Sequence, residues 1–128
     1  MANYKKPGAG RYGTKIKQFT NAFGKWDSKD EFRRFLFLQD LEKKGTIQGL
    51  EIKNTWSFNL NGVHIGKFSP DFVFKVGAHI VVEDFKGGFA VSRDFPLRVK
   101  MLKAFYGLDV IIVKNVTEIK HIEDLRVN

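Results

Sequence analysis

The chain has 128 residues, 43% of them hydrophobic, with 13 Phe, no Cys and a formal net charge of +8. That size suits one domain with a real core, and the lack of cysteine excludes a disulfide framework, a thiol nucleophile and cysteine-ligated zinc. No apolar run approaches the roughly 20 residues that cross a bilayer, and the N-terminal stretch lacks a signal peptide's apolar segment, so a cytoplasmic protein without membrane association is expected.

Residues 1–26 hold Lys5, Lys6, Arg11, Lys15, Lys17 and Lys25 with no acid, interspersed with Gly8, Gly10, Gly13 and Gly24. This composition predicts a flexible basic arm, with residues 27–128 forming the single folded domain. A polyanion is the natural partner of such an arm, because lysine and arginine contacts to phosphates release condensed counterions. The plainer reading is a solubilising tail. Tyr12 and Trp26 are candidates for stacking on an exposed base.

A helix is predicted from Ser28 to Lys44, with Ser28 as N-cap, Glu31 three residues on and Gly45 past its end. Helical spacing puts Phe32, Phe35, Leu36, Leu38 and Leu41 on one face, with Glu31 pointing inward at the start. LEIKNTWSFNL and VHIGKF flank Asn61-Gly62, a favoured type I′ turn, and predict two antiparallel strands. A third strand, DFVF, follows Pro70, turns at Lys75-Val76-Gly77 and returns as AHIVVEDFK, before Gly87-Gly88 breaks the pattern. A second helix is expected over 95–105, with Ser92 or Asp94 near its cap and Gly107 at its end. The apolar run LDVIIV then reads as a last, buried strand.

Alternation along a strand places Asp84 and Lys86 on one side and Glu83 on the other. Antiparallel pairing of DFVF with IVVEDFK sets the start of one strand, Asp71, beside the end of the next, Asp84. Two adjacent carboxylates repel unless protonated or bridged, and a hard divalent cation with oxygen ligands relieves them. Plainer readings stand beside this one. Glu31 completes a capping box, Asp71 forms a turn after proline, and Asp84 pairs with Lys86 as an ordinary strand-end salt bridge. A register slip of one residue would exchange Glu83 for Asp84. His64, His79 and His121 lack metal-ligand spacing and read as structural or surface residues.

Pro70-Asp71, twelve intervening residues and Asp84-Phe85-Lys86 together resemble the motif of the PD-(D/E)XK nuclease superfamily. With Ser28 to Glu31, Pro70-Asp71-Phe72 and Asp84 to Gly87, the chain is similar to small phage-encoded endonucleases of the junction-resolving type, Asp84 standing where many members have Glu. The resemblance implies an α/β (α+β) restriction-endonuclease-like core of order αβββαβ, its mixed central sheet flanked by helices. It also implies a metal-dependent DNA endonuclease with Glu31, Asp71, Asp84 and Lys86 as catalytic residues. Mg²⁺ or Mn²⁺ would be held by Asp71, Asp84, the Phe85 backbone carbonyl and Glu31, the last directly or through water. Lys86 would position the nucleophile. The basic arm and Arg93, Arg98, Lys100 and Lys103 would contact DNA phosphates. The expected substrate is branched DNA such as a Holliday junction, cut by a homodimer in the cytoplasm of a host cell. The alternatives are a restriction-type or nicking endonuclease and a non-catalytic basic nucleic-acid-binding module.

Overall fold

The computed structural model describes residues 19–21, 24–86 and 93–126. In chain order the elements are β1 (Phe19–Asn21), β2 (Gly24–Trp26), α1 (Lys29–Lys43), β3 (Gln48–Ile52), β4 (Trp56–Leu60), β5 (Val63–Phe68), β6 (Phe72–Val76), β7 (His79–Phe85), α2 (Phe95–Tyr106), β8 (Val110–Val113) and α3 (Lys120–Arg126). The fold is mixed α+β. A four-stranded sheet runs β3-β6-β7-β8, antiparallel except for the parallel β7–β8 pair, while β1–β2 and β4–β5 form separate two-stranded ribbons.

This order departs from αβββαβ in three places. Paired strands precede α1, α3 follows β8, and the segment read as one strand, LEIKNTWSFNL, is two. Lys53 adopts φ 53°, a left-handed conformation that a β-strand does not accommodate, so β3 ends at Ile52. The chain then leaves the sheet as the β4–β5 hairpin, turning at Asn61 (φ 51°) and Gly62 (φ 80°), and returns at Asp71. The two ends of this excursion touch, since the Lys53 N–H donates to the Asp71 carbonyl at 3.1 Å.

Strand alternation divides the core between the two sheet faces. Phe72, Phe74 and Val76 of β6 with Val81 and Phe85 of β7 pack against Phe35, Leu38 and Leu41 of α1 and Ile122 of α3. Val73 and Val82 face the other way, onto Phe58 and Phe68 of the hairpin and Phe95 and Leu102 of α2. Trp26 belongs to the first cluster, its ring 5.2 Å from Phe32 and 5.0 Å from Phe35 by centroid. It is 1% exposed, which corrects its reading as a base-stacking residue: the aromatic bulk next to a basic segment serves the core. Leu36 is likewise corrected, being exposed on α1 instead of packed.

The helix ends follow local chemistry. The Glu31 N–H donates to Ser28 Oγ at 3.1 Å, as expected of an N-cap. At α2, Asp94 holds the cap position without a side-chain bond, Pro96 lies in the first turn, and Gly107 closes the helix at φ 71°. Behind the sheet, fully buried Arg34 of α1 donates to both Glu83 oxygens, at 3.0 and 2.6 Å, and to the carbonyls of Val116 and Glu118. His121 Nε2 of α3 adds a contact to Glu83 Oε2 at 2.6 Å. Every polar atom of the Arg34–Glu83 pair is engaged, and removing either partner would strand a buried charge at a cost of about 3–5 kcal/mol. No helix among the described residues is long and apolar enough to cross a membrane.

Candidate active site

Antiparallel pairing brings the C-terminal end of β3, the N-terminal end of β6 and the C-terminal end of β7 to one edge of the sheet. Phe72 pairs with Glu83 and Ile52 with Phe72, so Lys53, Asp71 and Asp84 follow as neighbours across three strands. The N-terminus of α1 reaches the same edge and delivers Asp27 and Glu31.

Asp71 and Asp84 lock each other through the main chain. The Asp71 N–H donates to Asp84 Oδ1 at 3.0 Å, and the Phe85 N–H donates to Asp71 Oδ2 at 2.8 Å. The remaining oxygens meet lysines: Asp84 Oδ2 lies 2.8 Å from Lys86 Nζ, and Asp71 Oδ1 lies 3.0 Å from Lys53 Nζ. Glu31 divides its carboxylate between two tasks. Oε1 accepts the Asp27 N–H at 2.8 Å, and Oε2 holds Lys53 Nζ at 2.7 Å. It therefore touches the helix start and the cluster at once: Ser28 caps the Glu31 N–H, but the Glu31 side chain returns to the N–H of Asp27, one residue before the Ser28 N–H that a capping box would engage. Lys86 also sits 4.3 Å from the Phe95 ring centroid, which fixes its ammonium over the mouth of the site.

Burial, joined by the charge of Asp71, pushes Glu31 up to about 7 despite Lys53. Burial and Asp71 also push Asp84 up to about 6, against Lys86 and the Asp71 N–H. At Lys53 burial acts to lower the value, but Asp71 and Glu31 outweigh it and hold the ammonium above the ordinary lysine range.

The residues fit a hard cation. Single carboxylate oxygens of Asp27, Glu31 and Asp71 lie within 4.8 Å of one another and could hold a metal ion. Oxygen-only ligation of this kind suits Mg²⁺, Mn²⁺ or Ca²⁺. A positive charge already stands among these oxygens, the Lys53 ammonium, whose distance to Asp27 Oδ2 is 3.9 Å. Asp84 lies outside this group of three, because its oxygens are turned to the Asp71 N–H and to Lys86. Phe85 enters through its N–H.

A cleft of about 320 Å³ opens over the cluster, lined by Asp27, Lys53, Asp71, Asp84 and Lys86 together with Lys67, Phe95 and Arg98. Of the basic residues expected at DNA after the motif, Arg98 lines this cleft; Arg93 and Lys100 are exposed elsewhere, and Lys103 is paired with Asp109 at 3.1 Å. Lys25 lies in β2, while Lys5, Lys6, Arg11, Tyr12, Lys15 and Lys17 fall outside the described residues.

Four residues escaped the sequence reading. Asp27 is one turn before Glu31 and was legible in principle from its spacing. Lys67 sits on a hairpin strand whose approach to the cleft has no local signal. Lys53 and the Arg34 partner of Glu83 depend on contacts 18 and 49 residues apart. Comparison of the chain with protein-family models, with curated proteins and with solved structures gives no match.

Proposed function

We propose that the protein is a metal-dependent DNA endonuclease of PD-(D/E)XK type that hydrolyses phosphodiester bonds, selective for branched DNA. The observation that carries this reading is the convergence of Asp71, Asp84 and Lys86, tied through Lys53 to Glu31 of α1, at a cleft that Lys67 and Arg98 also line. The subset α1, β3, β6, β7, α2, β8, taken without the ribbons and α3, supports the restriction-endonuclease-like order.

Four carboxylates face two ammonium groups in the cluster, a surplus of negative charge that a divalent ion would balance. Asp71 and Glu31, with Asp27 or Asp84, would hold Mg²⁺ or Mn²⁺. Bound there, the ion supplies electrophilic polarisation of a phosphate oxygen and acidifies water. Lys86, anchored by Asp84 and Phe95, places a fixed positive charge beside the reacting phosphate and orients the attacking water. Lys67 and Arg98, which line the same cleft, bind flanking phosphates. Symmetric cutting of a four-way junction calls for two copies of the site, hence a two-fold dimer.

A second reading draws on the pairing itself. Lys53 and Lys86 neutralise the acids in the way a structural ion network would, as in a nucleic-acid-binding module without catalysis. One assay separates the two: linear, nicked, flapped and four-way DNA incubated with the protein and Mg²⁺ or Mn²⁺. The endonuclease cuts the branched substrates, and Asp71→Asn with Asp84→Asn lowers the rate at least about a thousandfold while DNA affinity stays near wild type. A wild-type protein that binds these DNAs and cuts none of them is the binding module.

A further inference from the structure

Lys53 is the least expected member of the cluster. Its backbone is held at φ 53°, a left-handed conformation that a residue with a Cβ disfavours. Strain of this kind persists where surrounding contacts impose it. Here the imposed result is clear: the left-handed turn ends β3 and aims the side chain along the sheet edge, into the oxygens of Glu31 (2.7 Å), Asp71 (3.0 Å) and Asp27 (3.9 Å). These are the same three residues whose oxygens could hold a metal ion. One volume therefore serves two cations.

The ammonium is not sealed in. The Lys53 side chain is 36% exposed and lines the open cleft, whereas the Glu31 side chain behind it is 2% exposed. The lysine can swing toward solvent without unfolding anything, while Glu31, held by the Asp27 N–H, and Asp71, held by the Phe85 N–H, stay in place. We infer that Lys53 is a tethered counter-ion that occupies the cation position of Asp27, Glu31 and Asp71 and is displaced when a divalent ion binds. Resting on the endonuclease reading, this makes Lys53 a positioning residue. It keeps the carboxylates in ligating geometry while no metal is bound, and it sets metal affinity by competing for their oxygens. Once released, its ammonium stands at the cleft mouth, where a DNA phosphate can receive it.

The test measures metal binding directly, by calorimetric titration of the full chain with Mn²⁺ in the absence of DNA. Lys53→Met removes the competing charge and keeps the stem, so Mn²⁺ should bind at least about tenfold more tightly than to wild type. Without metal the same variant should melt at lower temperature, and Mn²⁺ should restore it. Lys53→Arg, which retains a cation, should bind Mn²⁺ no more tightly than wild type. If Mn²⁺ binds wild type and Lys53→Met equally, or the variant more weakly, the competition is refuted while the endonuclease reading stands. Should Lys53→Met fail to fold, wild type answers alone. In ¹³C-lysine NMR with Mg²⁺, the Lys53 Cε signal should move with metal occupancy. A Lys53 signal that stays fixed while the Phe85 amide shifts overturns displacement. If neither moves at saturating Mg²⁺, both this inference and the metal site it rests on fail.

Discussion

At the scale of single residues, the site is a balance between charges that the fold forces together and the groups that make this tolerable. Each oxygen of Asp71 and of Glu31 has one partner, so neither carboxylate can be moved without disturbing another residue. Protons share the load with the lysines. Glu31 and Asp84 hold their protons to about 7 and about 6 in the folded chain, above their unfolded values. The folded state therefore binds more protons than the unfolded state between those limits, and stability falls as pH rises through the window. Lys53 is raised too and its contribution likewise falls as pH rises, but its window lies far above neutral pH and does not interfere. Thermal melting of the metal-free protein, followed from about pH 5 to about pH 8, should show a decreasing midpoint. Glu31→Gln with Asp84→Asn should flatten that decline, and saturating Mn²⁺ should do the same. Asp71, Asp84 and Lys86 were legible because strand alternation and antiparallel pairing fix their neighbours from local sequence, and Glu31 from its spacing at the helix start. The question of register between Glu83 and Asp84 resolves through a residue no local pattern marks. Buried Arg34 takes Glu83 on the far face and so leaves Asp84 to the cleft.

At the scale of elements, helix α1, the β6–β7 hairpin and α2 follow from caps, turns and apolar runs, and β8 does so as a strand; expected to be buried, it is instead an edge strand with Val113 buried and Ile112 exposed. The split of β3 from β4 has a local cause. A left-handed residue without glycine splits an apparently continuous strand, and Lys53 gives no compositional warning of it, unlike Asn61-Gly62 a few residues on. That second turn yields a plain expectation. Gly62 sits at φ 80° with nothing within 4 Å of where a Cβ would stand, so replacement strains the backbone without any clash. Gly62→Ala should cost about 1 kcal/mol, read as a lower urea midpoint with an unchanged slope. The site should be unaffected, since the turn is at the opposite end of the hairpin from Lys53 and Asp71. Trp26 shows the reverse error of reading: composition assigned it to a basic arm, while a hydrophobic cluster claims it, and β2 carries it there.

On the scale of the whole molecule, the net charge of +8 is unevenly placed, more than half of it in a basic N-terminal segment, while the cleft brings both signs together. Residues 1–18 contribute five of the positive charges, Lys5, Lys6, Arg11, Lys15 and Lys17, with no acid. If that segment binds phosphates, substituting glutamine at all five should weaken DNA binding and reduce the slope of log affinity against log salt by about 4. An unchanged slope would assign the segment to solubility. Cleavage position on a bound junction should not move, because the cluster at the sheet edge is untouched.

The hairpin between Lys53 and Asp71 carries one more implication. Its two ends are joined by a main-chain hydrogen bond of 3.1 Å, so everything from Asn54 to Pro70 departs from and returns to a single point on the rim. Its anchorage on the body consists chiefly of Phe58 and Phe68, set against Phe95 and Leu102. A graft that keeps those two phenylalanines and both junctions could therefore be longer, shorter or differently charged and still leave the carboxylates where they are. The molecule is built like a fixed jaw with an interchangeable flap, and the hairpin can be re-engineered without touching the carboxylates.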